Sequence, residues 1–438
     1  MKIIKTKDYF AKLSSYRYAT NIITIFSSLI YSFLVANILG PENYGTISYV
    51  LAFLINIPSL LGFVAINELI IVYTAKFNSK KLFKKTFTAT LVLLGLITIL
   101  VILLANSLTA FLNKGTVEII HLASILIILS PLSVLFQSFF SGLKKFGFLL
   151  KAIIIEKFIT ISLIIILLVF LKQGLLAIIY TNIIVYSVML VIYTLTFRKQ
   201  KLAEKKLPKE PIKKFLKQST FANILKAFSS QLDLWLIGTL LTPFSLGVMY
   251  LIKRFTTYIY ESSQMAIAEV AFPFLSEIGS EKQKLENYTT FFLKAQVILN
   301  VILSVAFLIG VTVVINVFFP QYTGGIIILP ILTVGYLFSV SMPLTRLIKS
   351  INKNNLLYNG FIISIMLSLI LGFTLIPTYG LIGAAIVIMS QKIIFSEYML
   401  FIVKKQGYNI KVIPSIKDLR FFYSILKELA KNTLKKIS

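Results

Sequence analysis

The chain has 438 residues, with 44 Lys and Arg against 16 Asp and Glu, one His and no Cys. Its mean hydropathy of +0.89 and 57 % hydrophobic content place the +28 net charge in short loops beside apolar runs. There lysines set topology and touch anionic lipid head groups, so nucleic acid is not the expected partner. The absence of Cys excludes disulfides and thiolate chemistry, a single His leaves no Ser/His/Asp set or metal cluster, and no GxxxxGK[ST] stretch marks ATP use.

Apolar runs of about 20 residues, the length of a bilayer-spanning helix, recur along the chain. They predict twelve spans, roughly 16–39, 44–73, 87–112, 117–140, 152–171, 174–197, 218–241, 244–275, 291–319, 325–348, 356–376 and 380–403. The basic start and the long first apolar run read as a retained helix, too long for a cleaved signal core. Of the 44 Lys and Arg, 38 fall at the N-terminus, in alternate loops, in the tail or in the span ends beside them (Arg17, Lys157, Lys294 and Arg346), and the opposite loops hold only Lys114 and Lys172. That split puts both termini in the cytoplasm of a multi-pass protein of the cell inner (cytoplasmic) membrane.

The polar stretch Arg198–Lys217, with Pro208 and Pro211, reads as a cytoplasmic linker. The expected organisation is an all-α integral membrane protein: a six-helix bundle over 1–197, the linker 198–217, a second bundle over 218–403 and a basic tail over 404–438. The halves read as a repeat. Leu39, Pro41 and Gly45 match Leu241, Pro243 and Gly247 at one offset, which also sets Asn21 on Asn223 and Ser28 on Ser230. Gly174-Leu175 matches Gly380-Leu381 at a nearly equal offset. Six helices per half is an even number, so the repeat is parallel, with twelve helices around a central cavity.

Polar residues then mark the helices that line such a cavity. In the seventh span Ser219, Asn223, Lys226, Ser230 and Asp233 share one stripe. The first carries Arg17, Asn21, Thr24, Ser28 and Tyr31; the eighth carries Tyr250, Arg254, Thr257, Glu261 and Gln264, with Lys253 beside them. Charge at bilayer depth costs several kcal/mol, so these stripes face water or another helix. Uncharged members serve equally well as hydrogen-bonding glue between helices, and Lys226 or Arg254 could pair with Asp233 or Glu261. Lys226, Lys253, Arg254 and Lys392 outnumber the two anions, which favours an anionic ligand, phosphate in particular. Tyr16, Tyr18, Tyr31 and Tyr250 suit sugar rings. The substrate-binding candidates are Lys226, Lys253, Arg254, Lys392, Asn21, Tyr31, Asn223 and Tyr250; Asp233 and Glu261 are the ion-coupling candidates, for H+ or Na+. No catalytic residue, metal or other cofactor is expected. His121 reads as a surface residue, Glu68 as a partner of Lys76 or another loop lysine, and Glu156–Lys157 as a self-paired couple at the mouth of the fifth span.

The stretches VANILGPENYGTISYV (Val35–Val50), LLGFVAINELI, QLDLWLIGTLLTPFSLGVMYLIKRF (Gln231–Phe255) and AFPFLS (Ala271–Ser276) carry a resemblance. They are similar to the bacterial polysaccharide repeat-unit flippases, the Wzx-like branch of the multidrug/oligosaccharidyl-lipid/polysaccharide exporter superfamily. The resemblance spans the whole chain, through short motifs. It implies two six-helix bundles that open alternately to each side, and outward flipping of undecaprenyl-diphosphate-linked oligosaccharide repeat units for O-antigen, capsule or another surface glycan. It implies a transporter, not an enzyme, acting as a monomer in membrane lipid, with a polysaccharide polymerase as a candidate partner. Asn37 stands where the family often has Arg, which weakens a cationic first half. The alternatives are an ion-coupled exporter of small amphiphiles and a membrane polymerase or glycosyltransferase. The short external turns argue against the latter.

Overall fold

The computed structural model describes residues 2–200, 209–278, 281–351, 353, 355–416, 418 and 420. It is helical throughout, with no strand among those residues. The helices fall on the twelve expected spans, and glycines mark where one span passes into the next. α1 (Lys2–Leu60) carries the first span and most of the second, bent at Gly40 (φ 71°, ψ 171°) next to Pro41. Gly62, at φ 84°, breaks the second span before α2 (Phe63–Phe77) completes it. α3 (Lys80–Leu103) and α4 (Ala105–Leu112) form the third span, α5 (Val117–Ser124) and α6 (Leu126–Gly142) the fourth. α7 (Phe146–Ile164) continues into a π-wound end and forms the fifth; α8 (Leu175–Arg198) is the sixth.

The second half follows the same plan. α9 (Lys209–Leu240) is the seventh span. α10 (Pro243–Thr256), a π-wound stretch Thr257–Glu261 and α11 (Ser262–Ile278) form the eighth. α12 (Lys282–Phe318) is the ninth; a 3-10 stretch Pro320–Ile328, α13 (Leu329–Leu337) and α14 (Ser341–Ser350) make the tenth. α15 (Asn355–Lys405) contains the last two, bent at Gly380. Among the described residues, eight continuous helical segments are long and apolar enough to cross a membrane by length and composition.

The repeat has a conformational signature. Gly174 (φ 57°, ψ −133°) and Gly380 (φ 55°, ψ −126°) open the last helix of each half with nearly the same backbone angles. That region is essentially closed to residues with a Cβ. Space is not the reason for glycine, because nothing lies within 4 Å of either site.

By packing, the chain divides into unit 1, Met1–Leu251, and unit 2, Ile252–Ser438. The core of unit 1 is aromatic: the Phe83 ring lies 4.9, 4.7 and 4.8 Å from those of Phe136, Phe139 and Phe197. Tilted ring pairs of this kind add about 0.5–1.5 kcal/mol each beyond burial. Lys80 caps this core, 4.8 Å above the Phe197 ring, and donates to the Gln200 carbonyl (3.0 Å). The core of unit 2 is aliphatic, built around Leu275, Leu293, Leu344, Leu347, Met399 and Val403. Large apolar side chains such as Leu103, Phe158 and Phe170 stay exposed at 75 %, 72 % and 73 %, as expected of surfaces that meet lipid.

Candidate functional site

Among the described residues a polar site lies in unit 2, where two helices depart from regular winding. The first is the eighth span, which switches to i→i+5 winding over Thr257–Glu261; such turns often accompany functional sites. The second is the tenth span, which breaks between Leu337 and Ser341. A break inside a bilayer frees backbone groups that need partners, and side chains supply them. Asn300 donates to the carbonyls of Tyr336 (2.9 Å) and Ser339 (3.2 Å), Gln296 donates to that of Ser339 (2.8 Å), and the Val340 amide donates to Ser396 Oγ (3.2 Å). Asn300 and Gln296 are fully buried on α12.

This clamp presents Tyr336 to Glu261. The Tyr336 hydroxyl donates to Glu261 Oε1 (2.9 Å) and lies 3.2 Å from Thr256 Oγ1. Its ring stacks on Tyr260 at 4.5 Å, and the Tyr260 hydroxyl donates to Ser304 Oγ (3.1 Å). Lys392, from the second half of α15, places Nζ 3.3 Å from Glu261 Oε1 and 4.2 Å above the Tyr336 ring centroid. Lys253 adds a second positive charge within electrostatic reach of Glu261. Two lysines thus converge on one carboxylate, an arrangement that suits an anion. The carboxylate, with its phenol partner, also offers a seat for a proton or a monovalent cation. Among the described residues no group of three or more His, Cys, Asp and Glu could hold a metal ion.

The candidates therefore separate. Lys253, Lys392 and Glu261 come together, and Arg254 stands half-buried beside Lys253 on α10. Asn21, Tyr31, Asn223, Lys226, Asp233 and Tyr250 belong to unit 1. There Asn223 Nδ2 donates to Glu68 Oε2 on α2 (3.0 Å), and Asn56 on α1 donates to Gln231 on α9 (3.2 Å). Glu68 thus meets an amide on α9; the Lys76 side chain lies outside the described residues, as do those of Arg17, Tyr18 and Ser219. Asp233 is 5 % exposed and accepts the Leu234 amide (2.9 Å). Lys226 and Asn21 are exposed, and Tyr250 is buried.

Two positions differ from the sequence reading. Glu156 and Lys157 do pair, at 2.8 Å, but α7 begins at Phe146, so the pair sits about 15 Å inside the helix and not at its mouth. Tyr336 was not singled out at all. Its signal was present: Ser339, Ser341 and Pro343 follow it closely, a cluster that loosens a helix.

A family model described as "Polysaccharide biosynthesis protein" matches residues 12–323. The chain belongs to that family. The resemblance read from its helix-end motifs agrees with this. The chain also shares its fold with solved transporters. One is a MOP superfamily transporter from Pyrococcus furiosus whose reversed binding-pocket polarity is taken to suggest a different function; it is 15 % identical, TM-score 0.67, covering 90 % of this chain and 94 % of that one. Another is an inward-facing multidrug resistance MATE family transporter, 15 % identical, TM-score 0.69, covering 88 % and 94 %. A third is an outward-facing multidrug resistance MATE family transporter, 15 % identical, TM-score 0.65, covering 91 % and 96 %. No curated protein matches the chain significantly. Family and fold together define a multi-pass membrane protein of polysaccharide biosynthesis on a transporter fold.

Proposed function

We propose that this protein flips undecaprenyl-diphosphate-linked oligosaccharide repeat units from the cytoplasmic to the outer leaflet by alternating access, coupled to H+ or Na+. Lys392, Lys253 and Arg254 meet the diphosphate, with Lys226 on its path, and Asn21, Tyr31, Asn223 and Tyr250 contact the sugars. Glu261 is the leading seat for the coupling ion and Asp233 the second. The observation that carries this reading is the convergence of Lys392 and Lys253 on Glu261, in a chain whose family is described by polysaccharide biosynthesis. A diphosphate needs compensating cations, and Arg and Lys provide them.

The multidrug transporters that share the fold support a second reading, export of small amphiphiles. Lipophilic cations would call for the opposite charge balance, with Asp233 and Glu261 dominant. The two separate in cells lacking the protein. Flipping predicts lipid-linked repeat units accumulating on the cytoplasmic leaflet, unchanged sensitivity to cationic dyes, and salt-sensitive binding of lipid-linked oligosaccharide by the purified protein. Dye sensitivity with normal surface glycan would establish the second reading instead.

A further inference from the structure

Lys114 is one of two lysines in the loops opposite the basic face, and nothing in the flippase reading uses it. It lies in the turn between α4 and α5, where Asn113 (φ 49°) and Gly115 (φ 80°) take left-handed angles. A loop lysine ordinarily reaches water at little cost, yet Lys114 is only 7 % exposed. Burial draws its ammonium below the ordinary lysine range. Its Nζ donates to the carbonyl of Gly238, two residues before α9 ends at Leu240. The last four carbonyls of a helix lack intrahelical partners and carry its negative end, so a cation is favoured there. The Tyr49 ring lies 5.7 Å from the same ammonium. Tyr49 also fills the space beside Gly238, where any Cβ would collide with the ring.

Close by in sequence, the two repeat-related turns meet. A Cβ on Gly45 would strike the Pro243 carbonyl, and one on Gly247 would strike that of Pro41. The bend of α1, the starts of α5 and α10 and the end of α9 are thus joined by backbone contact and one buried cation, all within unit 1. Surfaces without side chains approach closely but do not interlock. An ammonium has three donors, and here it holds one carbonyl and one ring.

We infer that Lys114 is a latch on the outer face: it holds the end of α9 against α1 and α5, and it must release Gly238 for that face to open. The inference rests on the transporter reading and on the lysine-based orientation. The chain has no cysteine, so nitroxide labels can be placed on Glu42→Cys and Phe244→Cys, both exposed turn positions. Electron–electron distances in the reconstituted protein should show one short separation. Lys114→Met should add a population several ångströms longer, and Lys114→Arg, which keeps charge and donors, should restore the short one. An unchanged distribution in Lys114→Met overturns the latch. So does widening of a control pair at Lys144→Cys and Lys199→Cys, which would mean general loosening. Labelling of the Glu42→Cys protein by an impermeant maleimide should occur in whole cells and not in inverted vesicles. The reverse would overturn the outward placement, while leaving the flipping experiment above to be judged by itself.

Discussion

Lys392 and Glu261, 131 residues apart in sequence, meet at 3.3 Å over the ring of Tyr336. The pair sets one of the proposed diphosphate ligands against the proposed ion seat, so neither group can bind its ligand without loosening the other. Replacing Glu261 with Gln should release Lys392 and tighten binding of a diphosphate lipid while abolishing its dependence on Na+ or pH. Lys392→Ala should abolish surface polysaccharide with the protein still in the membrane. Equilibrium binding with and without Na+, and glycan staining, check the two arms.

Arg254 and Lys226 are tested in the same way. Alanine at either position should abolish surface polysaccharide, because a charge held at depth without a use is costly. Arg254→Lys should be milder, since it loses the two-pronged fork but keeps the field. Normal export by both alanine variants would remove these residues from the proposed site.

The break in the tenth span depends on its amide clamp. Asn300→Leu removes one donor from the carbonyls of Tyr336 and Ser339, which keep the Ser339 amide and Gln296 respectively, and each lost hydrogen bond costs about 0.5–1.5 kcal/mol. The melting temperature in detergent should fall by several degrees. Export should fall further than stability alone explains, since Tyr336 loses its support. Tyr336→Phe keeps the ring stack on Tyr260 and loses the hydrogen bond to the Glu261 carboxylate, at a cost of about 1.5–3 kcal/mol.

The C-terminal segment offers a pH prediction. Lys294 and Ser415 hydrogen-bond the Asp418 carboxylate and hold it well below the usual carboxylate range. A depressed acid stabilises the docked form above its ordinary pKa of about 3.9 and loses that contribution as pH falls through its lowered value. Docking of the segment from Asn409 to Asp418 along α12 should therefore be constant between about pH 5 and 8. Asp418→Asn should make cleavage after Lys411 by trypsin several-fold faster at neutral pH.

Orientation is tested by reporter fusions. Fusions at Lys209 and at the C-terminus should report cytoplasm, and one at Lys172 the exterior. An external C-terminus would invert the assignment of faces.

Apolar run length located the spans because a bilayer sets one length for all of them. The glycine pair Gly174 and Gly380 was legible as a repeat because only glycine takes those angles. Gly62 was missed as a break, since it lies inside an apolar run and its φ of 84° leaves no mark in composition. Tyr336 was missed because its meaning is tertiary: it gains its role from Glu261, 75 residues away. The stripe Tyr250, Arg254, Thr257, Glu261 was read at regular helical spacing, and the π-wound turn within it breaks that assumption.

That turn has a further consequence. One extra residue in a helix advances everything beyond it by about 100° around the axis. The eighth helix therefore carries two registers on one rod, with Arg254 in the first and Gln264 in the second, and Glu261 marks the joint. Deleting Ile259 would let the helix wind regularly, keep every charge in the chain, and yet turn one register out of phase with the other. A gain or loss of one residue here acts like a key cut to the wrong angle, so the length of this segment is as constrained as its chemistry.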